Sequence, residues 1–537
     1  MAGAEKLKMN NGGGEKFLNF RPCLFLAIFL SLGIVVARAF LENGTSVWWL
    51  ALSLTLPVGL VAYFKTKKSL VTGVALAVFL LIGFGSYTLK ANDFLATNYY
   101  YSYDSTCYGR VIKLTEKGDE TCLQLVELSI DGKSEKGGMV AYLPTSSCEN
   151  VRLSDYVFIR GKVVTYAELF GKDGTFDDYF ADDIRFYAQA NCLSVAGHKF
   201  DCFAYARELL KDRLYLGLNG DVAPIAFALL TGDSSGIESG LLDNVRRGGI
   251  AHIFAVSGLH IGTLYAVCIF LLDKIKALRK QKIVRFCFVV VALLSYGGFC
   301  GYSETVLRAV VTCLALYASK LVGVKKDGLE NLSFAGIVLL IINPASLFCV
   351  GFQLSFSACY GIAILNKPLQ VFMEKTYRAV TKRVEEYPVT YPMETRGKIF
   401  SSLSVMISAQ LFTAPILLDA YGYLSAWGLL LNALFVPCVG FIFSLTLGCS
   451  VFACLLPKLL SSVILWLPNL LWTLALLIFQ TVDFSVIFEN VTLNFLTVFC
   501  YYAFLIVLSG KFNLKKKEKR LILWILALSC VCAYIIL

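Results

Sequence analysis

The sequence predicts an α-helical polytopic membrane protein, with about 11–13 transmembrane helices and a small OB-like β-barrel inserted outside the membrane. Three observations predict this class. Of 537 residues, 57% are hydrophobic and only 16% are charged, whereas a soluble chain carries about a quarter charged residues. The mean hydropathy is +0.67. Long apolar runs flank one largely polar stretch, residues 91–250, part of which has the alternating pattern of β-strands.

The apolar runs give the predicted transmembrane spans. A helix needs about 20 apolar residues to cross the hydrocarbon core. Three such runs precede the polar stretch and the others follow it. Asn343–Pro344 and Gly351 interrupt the later runs, so the count is uncertain by one or two. The predicted spans are 22–41, 46–64, 69–89, 251–272, 284–301, 304–323, 331–348, 349–366, 399–418, 424–447, 459–481, 491–509 and 521–537.

Basic residues predict the orientation. Clusters of Lys and Arg precede the first span, separate the second from the third, and then recur in loops that all fall on the same side. The positive-inside rule makes this side the cytoplasm. We therefore expect a multi-pass protein of the cell (cytoplasmic) membrane, with its N-terminus in the cytoplasm and residues 91–250 extracytoplasmic. The first span lacks a clear small-residue cleavage site, so we expect it to be retained rather than removed as a signal peptide.

The outer stretch contains five short strand-like runs, which predict the barrel. Such barrels often bind single-stranded nucleic acid through aromatic side chains and basic grooves. Aromatic residues are present, but residues 91–250 contain 16 Lys/Arg against 23 Asp/Glu. This acidic balance argues against a broad electrostatic footprint for DNA, so a structural or adaptor barrel is an equal alternative. The runs are Tyr108–Leu114, Cys122–Ile130, Met139–Leu143, Tyr156–Val164 and Phe186–Val195.

Five of the 18 cysteines lie in this outer stretch, where a disulfide bond is permissible. A bridge among Cys107, Cys122 and Cys148 and the absence of any bridge are equal alternatives, because spacing does not give connectivity. The cysteines in the spans are interpreted as small core residues.

Polar residues inside the apolar block are candidates for function because lipid makes them costly. His252 lies at the outer end of the fourth predicted span, and His260 would lie about 12 Å deeper if the segment were helical. A spacing of eight residues does not suit a zinc pair on one helix face, and packing is the alternative role for both. Ser257–Gly258 is expected to break the helix.

Further along, Glu304 and Arg308 form an i, i+4 pair, for which a structural ion pair is the alternative reading. Gln353 and Ser355 add polar positions to a later span. Such groups either line a hydrophilic path or pack helices together. No phosphate-binding loop and no metallohydrolase or zinc-peptidase motif occurs, so we expect no catalytic residues, no metal and no cofactor.

Several segments resemble the ComEC/Rec2 competence family, the membrane channels for DNA uptake in natural transformation. The resemblance covers nearly the whole chain, and the His-x-x-x-x-Ser-Gly-x-His stretch is quite specific. The matching segments are ALLTGDSSGI…NVRRGGIAHIFAVSGLHIG within 228–262, GYSETVLRAVV at 301–311, NPASLFCVGFQLSFSACYGI at 343–362, AQLFTAPILLDAYGYLSAWGLLLNALFVP at 409–437, and GTFDDYFADDIRFYAQA at 174–190.

This resemblance implies the domain organisation. We expect a cytoplasmic tail at 1–21, three transmembrane helices at 22–90, an OB-like domain at 91–198, interfacial helices at 199–250, a competence-type channel domain at 251–510, and a basic loop with the last helix at 511–537. The family's motif positions correspond here to Asp233, Arg247, His252, Ser257, Gly258, His260, Arg308 and Gln353. Together with Glu304 and Ser355, these are the candidate channel-lining or gating residues.

The resemblance also implies partners. They are single-stranded DNA, membrane lipid, an extracellular DNA receptor and a cytoplasmic ATPase, with homo-oligomerisation left open. Many family members end in a metallo-β-lactamase-like nuclease domain, whereas this sequence stops at Leu537. We therefore expect any nuclease on a separate chain. The alternatives to a DNA channel are a transporter or exporter of another solute, and a vestigial structural membrane protein.

Overall fold

The computed structural model describes a helical membrane protein with one inserted β-barrel, as the sequence predicts. Its described residues are 21–43, 69–97, 101–117, 119–148, 150–166, 176–253, 256, 258–323, 327–381, 393–425, 427–481, 487–489, 493–510 and 516–536.

The barrel closes through five strands. The order around it is β1-β5-β6-β4-β2, and β2 pairs again with β1. All of these pairings are antiparallel except that between β4 and β6. Each predicted run lies within one of these strands. The bounds are β1 Tyr101–Lys117, β2 Glu120–Ile130, β3 Lys133–Ser134, β4 Gly138–Pro144, β5 Asp155–Thr165 and β6 Ile184–His198, with β3 a short extension paired to β2.

Alternation along the strands builds the barrel core. Leu123 and Leu125 of β2 point inward and are fully buried, which is the period-2 arrangement of a strand with one buried face. Gly161 lies at a register shift between β5 and β6. A Cβ atom there would come within 2.2 Å of the Gln189 carbonyl oxygen, so the close approach of these two strands requires glycine.

Cys107 lies on β1 and Cys122 on β2, and Cys148 follows β4. Cys107 and Cys148 are buried in the barrel core, whereas Cys122 packs outward against the cluster shared with the helices. Cys122 is next to inward-facing Leu123 on β2, so its side chain leaves the opposite face. This difference in face separates Cys122 from the other two. The two alternatives, a bridge among these cysteines and no bridge, stay predictions.

In chain order, the helices lie before, within and after the barrel segment. The segment 199–250, where helices are expected, contains α4, α5 and α6. The bounds are α1 Pro22–Asn43, α2 Ser69–Leu95, α3 Phe176–Ala181, α4 Cys202–Gly217, α5 Val222–Thr231, α6 Ser239–Arg247, α7 Gly258–Lys274, α8 Lys282–Phe299, α9 Glu304–Val322, α10 Gly328–Ile342, α11 Val350–Thr381, α12 Met393–Tyr421, α13 Gly428–Leu455, α14 Ser461–Ile464, α15 Trp466–Thr481, α16 Phe495–Leu508 and α17 Lys516–Ile536. Strand β7 Tyr423–Ser425 pairs antiparallel with β8 Ile487–Glu489.

Fewer helices than the predicted spans are long enough to cross a membrane alone. Among the described residues, five helices pass on length and apolar composition, and a pair bent by 53° makes a sixth. Several predicted spans are shorter helices, such as α10 with 15 residues and α16 with 14. In α10 the reason is local, since Asn343 leaves the helical conformation and Pro344 follows. The predicted span at 46–64 lies outside the described residues.

Helices α1 and α2 cross at unusually close range. A Cβ atom on Gly33 would lie 2.0 Å from the Leu80 carbonyl oxygen, and one on Gly83 would lie 2.2 Å from that of Leu30. Small residues at such crossings allow two backbones to pack directly in lipid. These two helices therefore form a rigid pair.

Helix α3 connects the barrel to α1 and α2. Arg38 of α1 lies 2.9 Å from an Asp177 carboxylate oxygen. Lys90 of α2 donates to the Ala181 carbonyl at 3.0 Å and to Asn343 Oδ1 at 2.6 Å. The Asn343 amide also donates to the Ala181 carbonyl, at 3.1 Å. Three separate parts of the helical region thus hold the same short helix.

Aromatic packing completes this junction. The Phe180 ring lies 5.7 Å from Tyr87 and 5.2 Å from Phe94, both edge to face, and all three rings are almost fully buried. Arg185 of β6 pairs with Asp93 at the end of α2. The barrel is therefore packed against the helices through a hydrophobic core as well as through hydrogen bonds.

Candidate functional site

The segment that precedes α7 is a break in the helical region, as Ser257–Gly258 predicted. A 3-10 turn covers Ala251–Ile253, and α7 begins only at Gly258. The turn follows Gly249, whose φ of +72° lies in the left-handed region that glycine adopts without strain. A Cβ atom on Gly249 would lie 2.9 Å from the Gly428 Cα. The break therefore packs directly against the start of α13.

Helix α9 holds the other side of this break. The Thr305 hydroxyl donates to the Val256 carbonyl at 3.1 Å. One turn further along α9, the Arg308 Nη2 atom lies 3.9 Å from the Cβ position of Gly258. Arg308 thus faces the N-terminus of α7, and two of the predicted site residues are brought together.

Arg308 is buried without a counter-ion in the part of the chain that the structure describes. Its side chain is 7% exposed. Its Nη1 atom contacts the Cys359 Sγ atom at 3.7 Å, and its Cζ atom lies 5.7 Å from the centre of the Phe356 ring. A thiol and an aromatic ring stabilise a cation only weakly compared with a carboxylate. The Glu304 side chain lies outside the described residues, so its expected pairing with Arg308 stays a prediction.

Helix α11 begins at the same place. A Cβ atom on Gly351 would lie 4.0 Å from the Thr305 methyl carbon. Gln353 uses its side-chain amide to donate to the carbonyls of Leu347 and Phe348, at 3.2 and 3.3 Å. These bonds connect the preceding 3-10 turn to the first turn of α11. The N-termini of α7, α9 and α11 therefore converge, and each contributes the positive end of a helix dipole.

The two histidines lie near each other although they do not share a helix. His260 is 1% exposed, and its ring packs 4.6 Å from the Phe443 ring of α13. It lies within electrostatic range of His252. His252 lies in the 3-10 turn and keeps an exposed side chain. We expected His252 and His260 to lie about 12 Å apart along one helix. His252 lies instead in the turn that precedes α7.

A cavity of about 300 Å³ lies beside the Arg308 cluster. Gln353 and Phe356 form part of its wall, and Ser31, Tyr360 and Tyr502 contribute hydroxyl groups to a lining that is otherwise apolar. Phe356 therefore separates this cavity from the guanidinium group of Arg308.

Other predicted residues lie apart from this cluster. Asp233 accepts a hydrogen bond from the Ser235 amide at 3.1 Å and so stabilises a local turn. Arg247 is exposed at the end of α6, and Ser355 is half-buried on α11. The Ser257 side chain lies outside the described residues. Among the described residues, no group of three His, Cys, Asp or Glu side chains could hold a metal ion.

Two contributors to the site were not singled out from the sequence. Cys359 lies within the segment 343–362 but reaches Arg308 only through helix packing. Gly428 was not distinguished from other glycines, although it contacts Gly249 and lies 3.0 Å, at its Cβ position, from the Gln410 amide nitrogen. The available signal was the combination of glycine with polar residues in both apolar segments, which is typical of closely packed helices.

Comparison with known proteins identifies the family. Residues 229–513, more than half of the chain, match the model of the family described as competence protein. ComE operon protein 3 of Bacillus subtilis is 25% identical over 247 residues, which are 46% of this chain and 28% of that protein. An uncharacterized protein of Mycoplasma genitalium is 25% identical over 209 residues, covering 38% of this chain and 46% of its own length. The chain thus spans less than half of these curated relatives.

No solved structure matches the chain. The family match covers the break before α7, Arg308, the start of α11 and most of the later helices. The chain therefore belongs to the competence protein family.

Proposed function

We propose that this protein is a channel that carries single-stranded DNA inward across the cytoplasmic membrane during natural transformation. The observation that carries the proposal is the convergence of three helix N-termini at a break in the helical region of a competence-family chain. Broken helices whose N-termini point at one place occur in membrane proteins that bind anionic substrates near the bilayer midplane. A DNA strand is a polyanion, so a positive interior favours its passage.

In this proposal the N-terminus is cytoplasmic, and residues 91–250 face outward, where the barrel meets incoming DNA. An extracellular receptor supplies the strand, and a cytoplasmic ATPase pulls it. The residues we propose to line or gate the path are His252, Gly258, His260, Arg308 and Gln353. We propose accessory positions at Asp233, Arg247, Ser257, Glu304 and Ser355.

The outer face of β1 and β5 supports an OB-like receiving role for the barrel. Tyr108 lies parallel to Tyr156 with ring centres 5.3 Å apart, and 4.8 Å from Phe158, which is 44% exposed. The nearby cations Arg110 and Arg160 already pair with carboxylates, at 2.9 and 2.5 Å. Stacking on bases, rather than charge, would hold DNA at this face, with a shallow dependence on salt.

Deletion of the gene tests the proposal in the native host. We expect deletion to abolish the nuclease-protected internalisation of labelled DNA, and the wild-type gene to restore it. His252→Ala should restore it poorly, because His252 lies in the break where the three helix N-termini converge. Arg246→Ala is the matched control, since Arg246 is exposed and paired with Asp243 at 3.0 Å. Unchanged internalisation in the deletion strain would refute the proposal.

A transporter of another anionic solute is the second candidate, because converging helix N-termini also occur in secondary transporters. It predicts that deletion changes solute accumulation or export and leaves DNA internalisation intact. The two candidates therefore separate in the same deletion strain.

A further inference from the structure

Arg213 of α4 is a buried cation without a carboxylate partner among the described residues. Its side chain is 8% exposed. Its Nε and Nη1 atoms are buried, and neither donates a hydrogen bond to any residue that the structure describes. Arg21, in contrast, lies 2.7 Å from Asp327, and Arg185 lies 2.9 Å from Asp183. A buried guanidinium group is costly to desolvate, so a compensating anion beside Arg213 is strongly favoured.

Two buried hydroxyl groups lie in the elements that pack against this part of α4. Ser450 of α13 is 1% exposed, and Ser461 at the beginning of α14 is fully buried. Within the described part of the chain, the Oγ atoms of both serines lack a hydrogen-bond partner. Since a buried hydroxyl group that stays unpaired is destabilising, these two serines also favour a bound ligand.

The packing of α4 brings the three polar groups together. A Cβ atom on Gly217, one helical turn after Arg213, would lie 2.9 Å from the Ser461 carbonyl oxygen. On the side of α13, Arg213 lies within electrostatic range of Cys454, which is one helical turn after Ser450. Residues four positions apart share a helix face. Arg213, Ser450 and Ser461 therefore lie at the junction of α4, α13 and α14.

The chemistry of this junction suits a small anion. A guanidinium group can only donate hydrogen bonds, and a serine hydroxyl group is free to rotate its proton toward an acceptor. The attraction between opposite charges is also stronger in the protein interior than in water. Gly217 packs directly on Ser461 and on Leu465, whose Cδ1 atom is 2.6 Å from the Cβ position of Gly217. Such close packing favours an ion of one atom over a phosphate group.

We propose that Arg213, Ser450 and Ser461 bind one halide ion, with chloride as the physiological ligand. The ion neutralises Arg213 and accepts hydrogen bonds from the two hydroxyl groups. It thereby stabilises the packing of α4 against α13 and α14. Because α4 begins only four positions after the end of the last barrel strand, β6, the ion also supports the connection between the barrel and the helices. The inference does not depend on the proposed function.

Thermal unfolding of the full-length protein in phosphatidylcholine nanodiscs tests this site. Chloride replaces gluconate at constant ionic strength, so that general screening stays the same. We expect saturating chloride to raise the apparent melting temperature of the wild-type protein by about 2–4 °C, because a ligand that binds only the folded state stabilises it. Bromide should have a similar effect, whereas phosphate should have none beyond that of gluconate.

Variants of the three residues give the specific outcome. Arg213→Met keeps the length of the side chain and removes its charge, so its melting temperature should not depend on chloride. In gluconate it should melt at or above the wild-type temperature, since an uncompensated buried charge is gone. Ser461→Ala and Ser450→Ala should each raise the chloride concentration for half of the effect by about tenfold, as for loss of one hydrogen bond to a charged group.

Two matched controls should behave like the wild type. Lys211→Met removes one positive charge from the same helix, but Lys211 is exposed. Ser444→Ala removes a hydroxyl group from α13, but Ser444 already donates to the Gly440 carbonyl oxygen at 2.8 Å. Gel filtration establishes that each variant is folded. If Arg213→Met does not fold, the comparison of Ser461→Ala with Ser444→Ala decides the outcome.

Equal melting temperatures of the wild-type protein in chloride and gluconate would overturn the inference. So would a full chloride effect in folded Arg213→Met, since the ion would then bind elsewhere. Stabilisation by phosphate but not by chloride or bromide would show that the ligand is an oxyanion, and the assignment to a halide would be wrong.

Discussion

Arg308 of the helical region and the arginines of the barrel have opposite surroundings. Arg110, Arg160 and Arg185 of the barrel lie 2.9, 2.5 and 2.9 Å from carboxylate oxygens. Arg308, at 7% exposure, contacts a thiol and an aromatic ring instead. The first three guanidinium groups hold strands and helices in place. The fourth has no carboxylate partner among the described residues.

The physical cost of these two arrangements also differs. An exposed ion pair contributes only about 0–1 kcal/mol, so pairing in the barrel is a modest contribution to stability. A buried charge without a counter-ion is destabilising, and the dipoles of α7, α9 and α11 offset only part of that cost. The barrel arginines therefore serve the architecture of that domain, whereas a role for Arg308 in binding belongs to the proposed function.

The largest effect is expected where a barrel charge is buried. Arg185 is 5% exposed and pairs with Asp93 and Asp183. Arg185→Leu should lower the free energy of unfolding by about 2–3 kcal/mol, because it breaks the link between β6 and α2. Thermal unfolding in detergent measures this change. Arg160→Leu is the control, since its pair is exposed and should contribute far less to stability. Equal losses in both variants would contradict the difference in burial.

Arg308 should respond in the opposite direction. Arg308→Leu removes a buried charge that has no carboxylate in the described residues, so we expect stability to be unchanged or raised by about 1 kcal/mol. The same thermal assay detects the change. A destabilisation as large as that of Arg185→Leu would show that Arg308 has a structural partner, and the comparison would fail.

The smallest effect concerns pH. A hydrogen bond from the Tyr156 hydroxyl, followed by those from Arg110 and Lys199, lowers the pKa of Glu127 from 4.5 to about 2. A lowered carboxyl pKa contributes stability above the unfolded pKa and loses it as the pH falls toward the folded pKa. We therefore expect a small loss between about pH 4.5 and 2, and a smaller one in Tyr156→Phe. Melting curves across this range measure it, and identical pH profiles for the two proteins would remove Tyr156 as a cause.

The barrel could be predicted from the sequence because its information is local. Alternating residues such as Leu123 and Leu125 reveal a strand with one buried face, and the five predicted runs lie within the five strands. The faces of the barrel on which the cysteines lie could not be predicted, since only the closed barrel shows that Cys122 faces away from Cys107.

The helical region could be predicted less completely. Apolar composition identifies a membrane protein, but it does not show where Asn343–Pro344 ends α10 or where α7 begins. Spacing along one helix suggested Glu304 as the neighbour of Arg308. The contact with Cys359, 51 positions along the chain, depends on how α9 packs against α11. Long-range contacts of this kind are not encoded in a periodic pattern.

The attachment of the barrel through α3 has a consequence for effective concentration. Arg38, Lys90 and Asn343 hold α3 at fixed positions on the helical region. A domain on a flexible linker samples a broad distribution of distances, and its bound ligand is diluted over that volume. Because this barrel is held in place, a ligand bound to it is not diluted in this way. Any ligand held on it is presented to the helices at one distance and one orientation, so its local concentration there depends on geometry and not on linker length.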